Sequence, residues 1–101
     1  QAGGGYLGIH SATDTEYDWP WYGRLAGAYF LDHPNPNNIQ IGKFRVMAKD
    51  HPATKMMPDE FEKKDEFYSF KQISPAIKVL LNIDEKSYQG GKNGDNHPMS
   101  W

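Results

Sequence analysis

The chain has 101 residues, a net charge of −2 and no cysteine. That length suits one domain with a modest core. The charge gives no basis for a nucleic-acid partner, and the missing thiol excludes thiolate chemistry within these residues.

The predicted elements begin with a buried strand over 5–10, where Tyr6-Leu7-Gly8-Ile9 is a short apolar stretch. It stops at small residues and turns into the polar, aromatic-rich run Thr13 to Tyr22. Gly8 and Ala12 flank the turn as G-x-His-x-A, with His10 at the apex. A strand, a tight turn and a helix present a side chain at the C-terminal end of a strand in an open α/β sheet. A helix is expected over 19–30, with Asp18 as N-cap and Pro20 in the first turn, where its missing N–H costs nothing. Trp21, Leu25, Ala28 and Tyr29 would form its apolar face. Asp32 to Asn38 is dense in turn residues and reads as a loop.

Residues 39–49 read as a strand whose alternation changes parity, Ile39 and Ile41 first and then Phe44, Val46 and Ala48. Gly42-Lys43 sits at the switch, which predicts a β-bulge. Residues 52–62 read as a polar connection with one short helix around 58–61, and Glu66 to Phe70 as a short strand. Ile77 to Ile83 is almost continuously apolar and β-branched, as a strand inside a sheet should be. It is expected beside or near 6–9. Lys86 to Asn96 is Gly-rich and polar and reads as a mobile surface loop. Met99-Ser100-Trp101 looks like the start of another strand. Together these elements predict an α/β domain with a mainly parallel open sheet. Its central strand would come almost at the first residue, so both ends read as cut, and 1–101 as a single partial domain.

No segment approaches the ~18 consecutive apolar residues of a membrane-spanning helix. No basic segment leads into an apolar stretch, as it would in a signal peptide. Localisation stays open: cytoplasmic, or periplasmic or secreted if an upstream signal was removed.

The run Gly3 to Tyr17 (GGGYLGIHSATDTEY) resembles the trehalose-utilisation, ThuA-like family. Further matches follow in order: Trp19-Pro20-Trp21-Tyr22-Gly23, Leu25 to Phe30, Asp50-His51-Pro52-Ala53-Thr54, Asp65 to Phe70, Val79-Leu80-Leu81, Asp84-Glu85, Tyr88 and His97 to Trp101. The resemblance implies a class I glutamine amidotransferase-like fold with flavodoxin-like layers, incomplete in this chain. It also implies a role in the use of trehalose or a related sugar, and hence a small-molecule sugar ligand. Amidotransferases carry a nucleophilic cysteine at the apex of G-x-C-x-G. Here the apex is His10, so glutamine hydrolysis through a thioester is not expected.

His10 is the first candidate, as general acid/base or metal ligand, against the alternative of a histidine that stiffens its turn. Glu16 and Glu66 are the carboxylates that could assist it. Asp14 could bind a sugar hydroxyl, or cap the following helix together with Asp18. Trp19 and Tyr22 could stack on a sugar, whereas Trp21 reads as core. Tyr68 shares the parity of Glu66 in an extended segment and could join His10 in a polar constellation. His97 could reach the crevice in a complete domain. The His-Pro pairs at 33, 51 and 97 otherwise read as turn punctuation. No cofactor is expected, because tight ligand spacing is absent and supports a divalent metal only weakly. Uncovered strand edges predict self-association. Two functions stay open: a carbohydrate-active enzyme without a covalent cysteine step, and a non-catalytic sugar-binding or scaffold domain.

Overall fold

A computed structural model describes residues 3–101; Gln1 and Ala2 lie outside the described residues. The core forms where apolar residues of one parity line up across four strands. Strand β1 is Tyr29–Asp32, β2 Ile39–Val46, β3 Glu60–Glu66, β4 Ser69–Lys71, β5 Leu81–Asp84 and β6 Pro98–Ser100. One sheet has the order β3-β2-β5-β6, and β1 pairs with β4 in a second. Every pairing is antiparallel. The domain is therefore α/β with antiparallel sheets, and the expected mainly parallel sheet is corrected. A parallel pair needs a long crossover, usually helical. The only α-helix among the described residues, α1, is Pro20–Ala26, too short for that role.

Helix α1 is shorter than the expected 19–30. Gly27 ends it in the left-handed region at φ +89°, which glycine adopts without a Cβ penalty. A Cβ there would also meet Ile77 at 2.7 Å and the Trp101 indole at 2.8 Å. The chain then turns into β1, so Ala28 and Tyr29 are buried from outside the helix, while Trp21 and Leu25 stay exposed. Asp18 is not the cap. Trp19 holds that position, without a side-chain cap bond.

Among the described residues, the predicted strand 5–10 has no sheet partner. Leu7 and Ile9 are 85% and 75% exposed, so the segment does not lie inside a sheet beside residues 77–83. That later strand is also shorter than predicted: only Leu81–Asp84 is a strand. Leu80 is buried and bonds through its N–H to the Ser100 carbonyl at 2.8 Å.

No bulge occurs in β2. Its register against β3 runs unbroken from Ile39 opposite Glu66 to Arg45 opposite Glu60. Gly42 shares the buried parity of Phe44 and Val46, while Ile39 and Ile41 occupy the exposed parity. The glycine is there because the core closes on it: a Cβ would lie 2.6 Å from Ile83 and 2.8 Å from Phe67. Residues 60 and 61 open β3 rather than forming a helix. This charged sequence hides the strand from a hydrophobic pattern but suits a sheet edge.

Phe44, Phe67, Ile83 and Tyr88 form one core cluster; Ala28, Tyr68 and Phe70 form another, and Met99 packs against both. The loop after β5 is tied down rather than loose. The Gln40 side chain bonds both the N–H and the C=O of Gln89, and the Asn93 side chain bonds both backbone groups of Phe70. Each amide acts as a strand substitute, satisfying one donor and one acceptor.

Candidate functional site

The turn carrying His10 is built by local hydrogen bonds. Residues His10–Thr13 form one 3₁₀ turn. The Ala12 N–H donates to the Ile9 carbonyl at 3.1 Å, and the Asp14 N–H to Ser11 at 3.0 Å. His10 itself sits at φ +49°, in the left-handed region, uncommon for residues other than glycine, although histidine is among those that enter it more often. Gly8 and Ala12 face each other closely, since a Cβ on Gly8 would lie 3.0 Å from that of Ala12. The Tyr22 hydroxyl donates to the Ala12 carbonyl at 2.6 Å and accepts from Tyr6 at 2.9 Å. Tyr22 therefore pins the turn to α1.

Glu66 comes to this turn from the far end of β3. Phe67 then points into the core, and Tyr68 follows on the side of Glu66. His10 Nε2 lies 3.9 Å from Glu66 Oε1. The His10 and Tyr68 rings are 4.3 Å apart, centre to centre, and tilted. Asn38 donates to the other Glu66 oxygen at 2.9 Å, which orients the carboxylate. His10 is 45% exposed at the side chain and Glu66 20%, so the pair is reachable from solvent yet held. Burial pushes the Tyr68 phenol above its ordinary value, and the Glu66 and Asp14 charges add to the effect. The ring remains a neutral donor at physiological pH. Beside it, a hydrogen bond from Lys63 is the main cause that holds the Asp65 carboxyl low.

Most of these groups line a crevice of about 970 Å³. Its polar lining includes His10, Lys63, Asp65, Glu66 and Tyr68, and its apolar walls include Leu25, Phe44, Leu81 and Trp101. Mixed walls with a few convergent polar groups are the usual form of a small-molecule site.

The other expected residues fall elsewhere. Asp14 accepts from the Tyr17 hydroxyl and lies close enough to influence Tyr68. Glu16 is exposed at φ +54°, and only its backbone carbonyl is engaged, by Tyr29 and Trp19. Trp19 stacks on Trp21 with ring centres 5.0 Å apart, both rings exposed and neither lining the crevice. Tyr22 also lies outside it. His97 does not reach the crevice: it is fully buried, and its Nε2 donates to the Tyr68 carbonyl at 2.8 Å.

One neighbour escaped the sequence reading. His33 lies with its ring 6.3 Å from that of Tyr68, nearly parallel, and its Nδ1 bonds the Pro34 carbonyl at 2.9 Å. Its His-Pro context gave only a turn signal. Among the described residues, no three of His, Asp and Glu converge as a metal-binding set.

A sequence model of the ThuA family, described as trehalose utilisation, matches residues 1–101. The chain belongs to the ThuA family. A solved crystal structure of a ThuA-like protein from Bacteroides uniformis ATCC 8492 is similar to this ThuA domain, with 26% identity and a TM-score of 0.64. The similarity covers 79% of this chain and 36% of that one, so the domain spans about a third of that protein's length. Comparison with curated proteins finds no match. No described helix is long and apolar enough to cross a membrane.

Proposed function

We propose that this ThuA domain acts on a carbohydrate at the polar lining of the crevice, with His10 as general acid/base and Glu66 as its partner. The observation that carries this reading is the 3.9 Å approach of His10 Nε2 to Glu66 Oε1 beside a concave space. Catalytic hydrogen bonds are often long in an empty site and tighten when a ligand closes it. A neutral Tyr68 hydroxyl supplies a donor to a sugar oxygen, and Asp14 an acceptor nearby. Among the described residues, Glu16 makes no side-chain hydrogen bond or ion pair that would favour it over Glu66. The ligand class follows from the family's description, trehalose utilisation.

The G-x-His-x-A turn and the positive φ of His10 support a further part of the reading. His10 stands where glutamine amidotransferase-like domains carry their cysteine nucleophile, with the chemistry changed from thiol attack to proton transfer. A second reading, a sugar-binding domain without catalysis, is favoured by the exposed Trp19–Trp21 stack, because flat aromatic faces suit the apolar faces of sugars.

Titration of the protein with trehalose, glucose and a keto-sugar separates the two. In the first reading, Glu66→Gln weakens binding about tenfold, the ~1.4 kcal/mol of one charge-assisted contact, and Trp19→Ala has little effect. In the second, the pattern is reversed. Unchanged affinity in both variants, or no binding by the unaltered chain, removes the crevice as a sugar site.

A further inference from the structure

We propose that Glu85 and the buried His97 form a positioning pair that sets the Tyr68 ring against His10. The inference rests on the reading of the crevice given above. His97 is fully buried, and both ring nitrogens are engaged. A carbonyl only accepts, so the 2.8 Å contact of Nε2 with the Tyr68 oxygen places a proton on Nε2. On the other side, Nδ1 lies 2.8 Å from Glu85 Oε1. A second proton must be shared along that line, and the carboxylate makes this possible, as in a carboxylate–histidine pair behind a metal ligand. The Tyr88 hydroxyl lies 3.2 Å from Nδ1 and closes the pocket.

The pair is wired to three consecutive residues of the site strand. His97 holds the Tyr68 carbonyl. The Lys92 N–H donates to the Ser69 hydroxyl at 3.0 Å. Asn93 brackets the Phe70 backbone at 2.8 and 2.9 Å, and its own N–H donates to the same Glu85 oxygen at 2.6 Å. Glu85 Oε1 thus serves both the histidine and the loop that clamps β4. On its other edge, β4 has only the short pairing with β1, interrupted between Phe30 and Asp32. The loop after β5 is therefore what fixes the direction in which Tyr68 leaves the strand. An amide cannot replace Glu85. Its oxygen could serve both contacts only beside an uncompensated buried imidazolium, and its nitrogen would leave the Asn93 N–H unpaired.

The test uses the whole chain, with ¹H–¹³C NMR of the His10 ring, which the Tyr68 ring current displaces at 4.3 Å. Glu85→Gln and His97→Ala should lose most of that displacement, while signals of the buried Ala48 and Thr54, which bond each other, hold their places. His97→Gln, whose side-chain amide can reach the Tyr68 carbonyl, should recover most of it. A purely structural role would lower the melting temperature in all three variants and leave the His10 signal unmoved wherever the chain folds; that result overturns the proposal. Failure of His97→Gln to restore what His97→Ala loses also overturns it. If His97→Ala does not fold, Glu85→Gln and His97→Gln decide by the same signal. Titration of the same samples with trehalose keeps the two ideas apart: an unaltered chain that ignores the sugar refutes the sugar site, and the ring-current result still judges the pair.

Discussion

Replacing His10 by alanine and by glycine separates what the residue costs the fold from what it does. The backbone at φ +49° is left-handed, a region that costs an L-residue about 1 kcal/mol and costs glycine almost nothing. The imidazole is 45% exposed and packs on one side against Tyr68 at 4.3 Å. Losing that contact should cost roughly 0.5–1.5 kcal/mol, the range for an aromatic pair. His10→Ala loses the contact and keeps the backbone penalty, so it should be about 1 kcal/mol less stable than the parent. His10→Gly loses the contact and relieves the penalty, so it should return close to parental stability. In a domain of this size about 1 kcal/mol moves the melting temperature by roughly 4–8 °C, which thermal unfolding followed by circular dichroism resolves. Sugar affinity, measured on the same samples, should fall equally in both variants, because both remove the imidazole. The reasoning is refuted if alanine costs more than about 3 kcal/mol with affinity unchanged. It is refuted too if glycine is no more stable than alanine. The first result would make His10 a structural turn residue, and the second would remove the strain argument.

Gly42→Val should destabilise by about 1–3 kcal/mol through overpacking, since a Cβ there meets Ile83 at 2.6 Å and Phe67 at 2.8 Å; a urea midpoint equal to the parent's would show that the core has room. Tyr68 and Tyr88 are both raised from the ordinary 10.0, chiefly by burial. A raised folded value favours the protonated ring, so the stability it confers is complete below pH 10 and declines above it. A phenol absorbance titration should show four late-ionising tyrosines, because Tyr6 and Tyr17 are raised as well, again chiefly by burial, and Glu66→Gln should bring Tyr68 part of the way back; ionisation of every tyrosine near 10 would contradict this. The apolar crevice walls, with Leu7, Ile9, Ile39 and Ile41 exposed, predict self-association. Light scattering should detect dimers or larger species at high concentration, and a clean monomer would refute it.

What could be read from the residues followed the strength of the local signal. The G-x-His-x-A turn was legible because small residues and an apex histidine leave a clear mark, and so was most of the loop expected over Asp32 to Asn38, although Asp32 closes β1. Strand β3 was not legible, because Glu60–Glu66 is an edge whose charged residues carry no apolar alternation. Gly42 misled, because a glycine in a strand signals either a bulge or a close approach, and only the partner side chains decide which. The end of α1 was missed because apolar spacing continues through Ala28 and Tyr29, while Gly27 stops the helix and sends both residues into a sheet junction. Parallel pairing was inferred from a general pattern of strand, turn and helix and from the family resemblance. Pairing, however, is set by contacts far apart in sequence, such as Phe44 with Ile83, which no local window contains. At the site, the shared parity of Glu66 and Tyr68 was readable. Their meeting with His10 was an expectation, but its geometry was not readable, because it depends on how the whole of β3 lies against the turn.

The histidines show why residue type alone does not assign a role. His97 and His33 both precede proline, a setting that favours extended backbone, and both approach Tyr68. His97 is enclosed, with each nitrogen satisfied by protein. Nothing is left over for a ligand, and its effect on the crevice passes through the Tyr68 backbone and the Phe70 ring it packs against. His33 commits Nδ1 to the Pro34 carbonyl, which leaves Nε2 as the nitrogen able to accept, though the ring does not line the crevice. His10 has the reverse arrangement: a half-exposed ring with a strained backbone below it and a carboxylate just beyond hydrogen-bond distance. A residue selected only for stability would favour glycine at that φ and a closer partner for the ring. The cost of keeping an imidazole there, set against the full satisfaction of His97, is the physical ground for proposing His10 as the residue that meets the ligand and His97 as the one that holds the site in place.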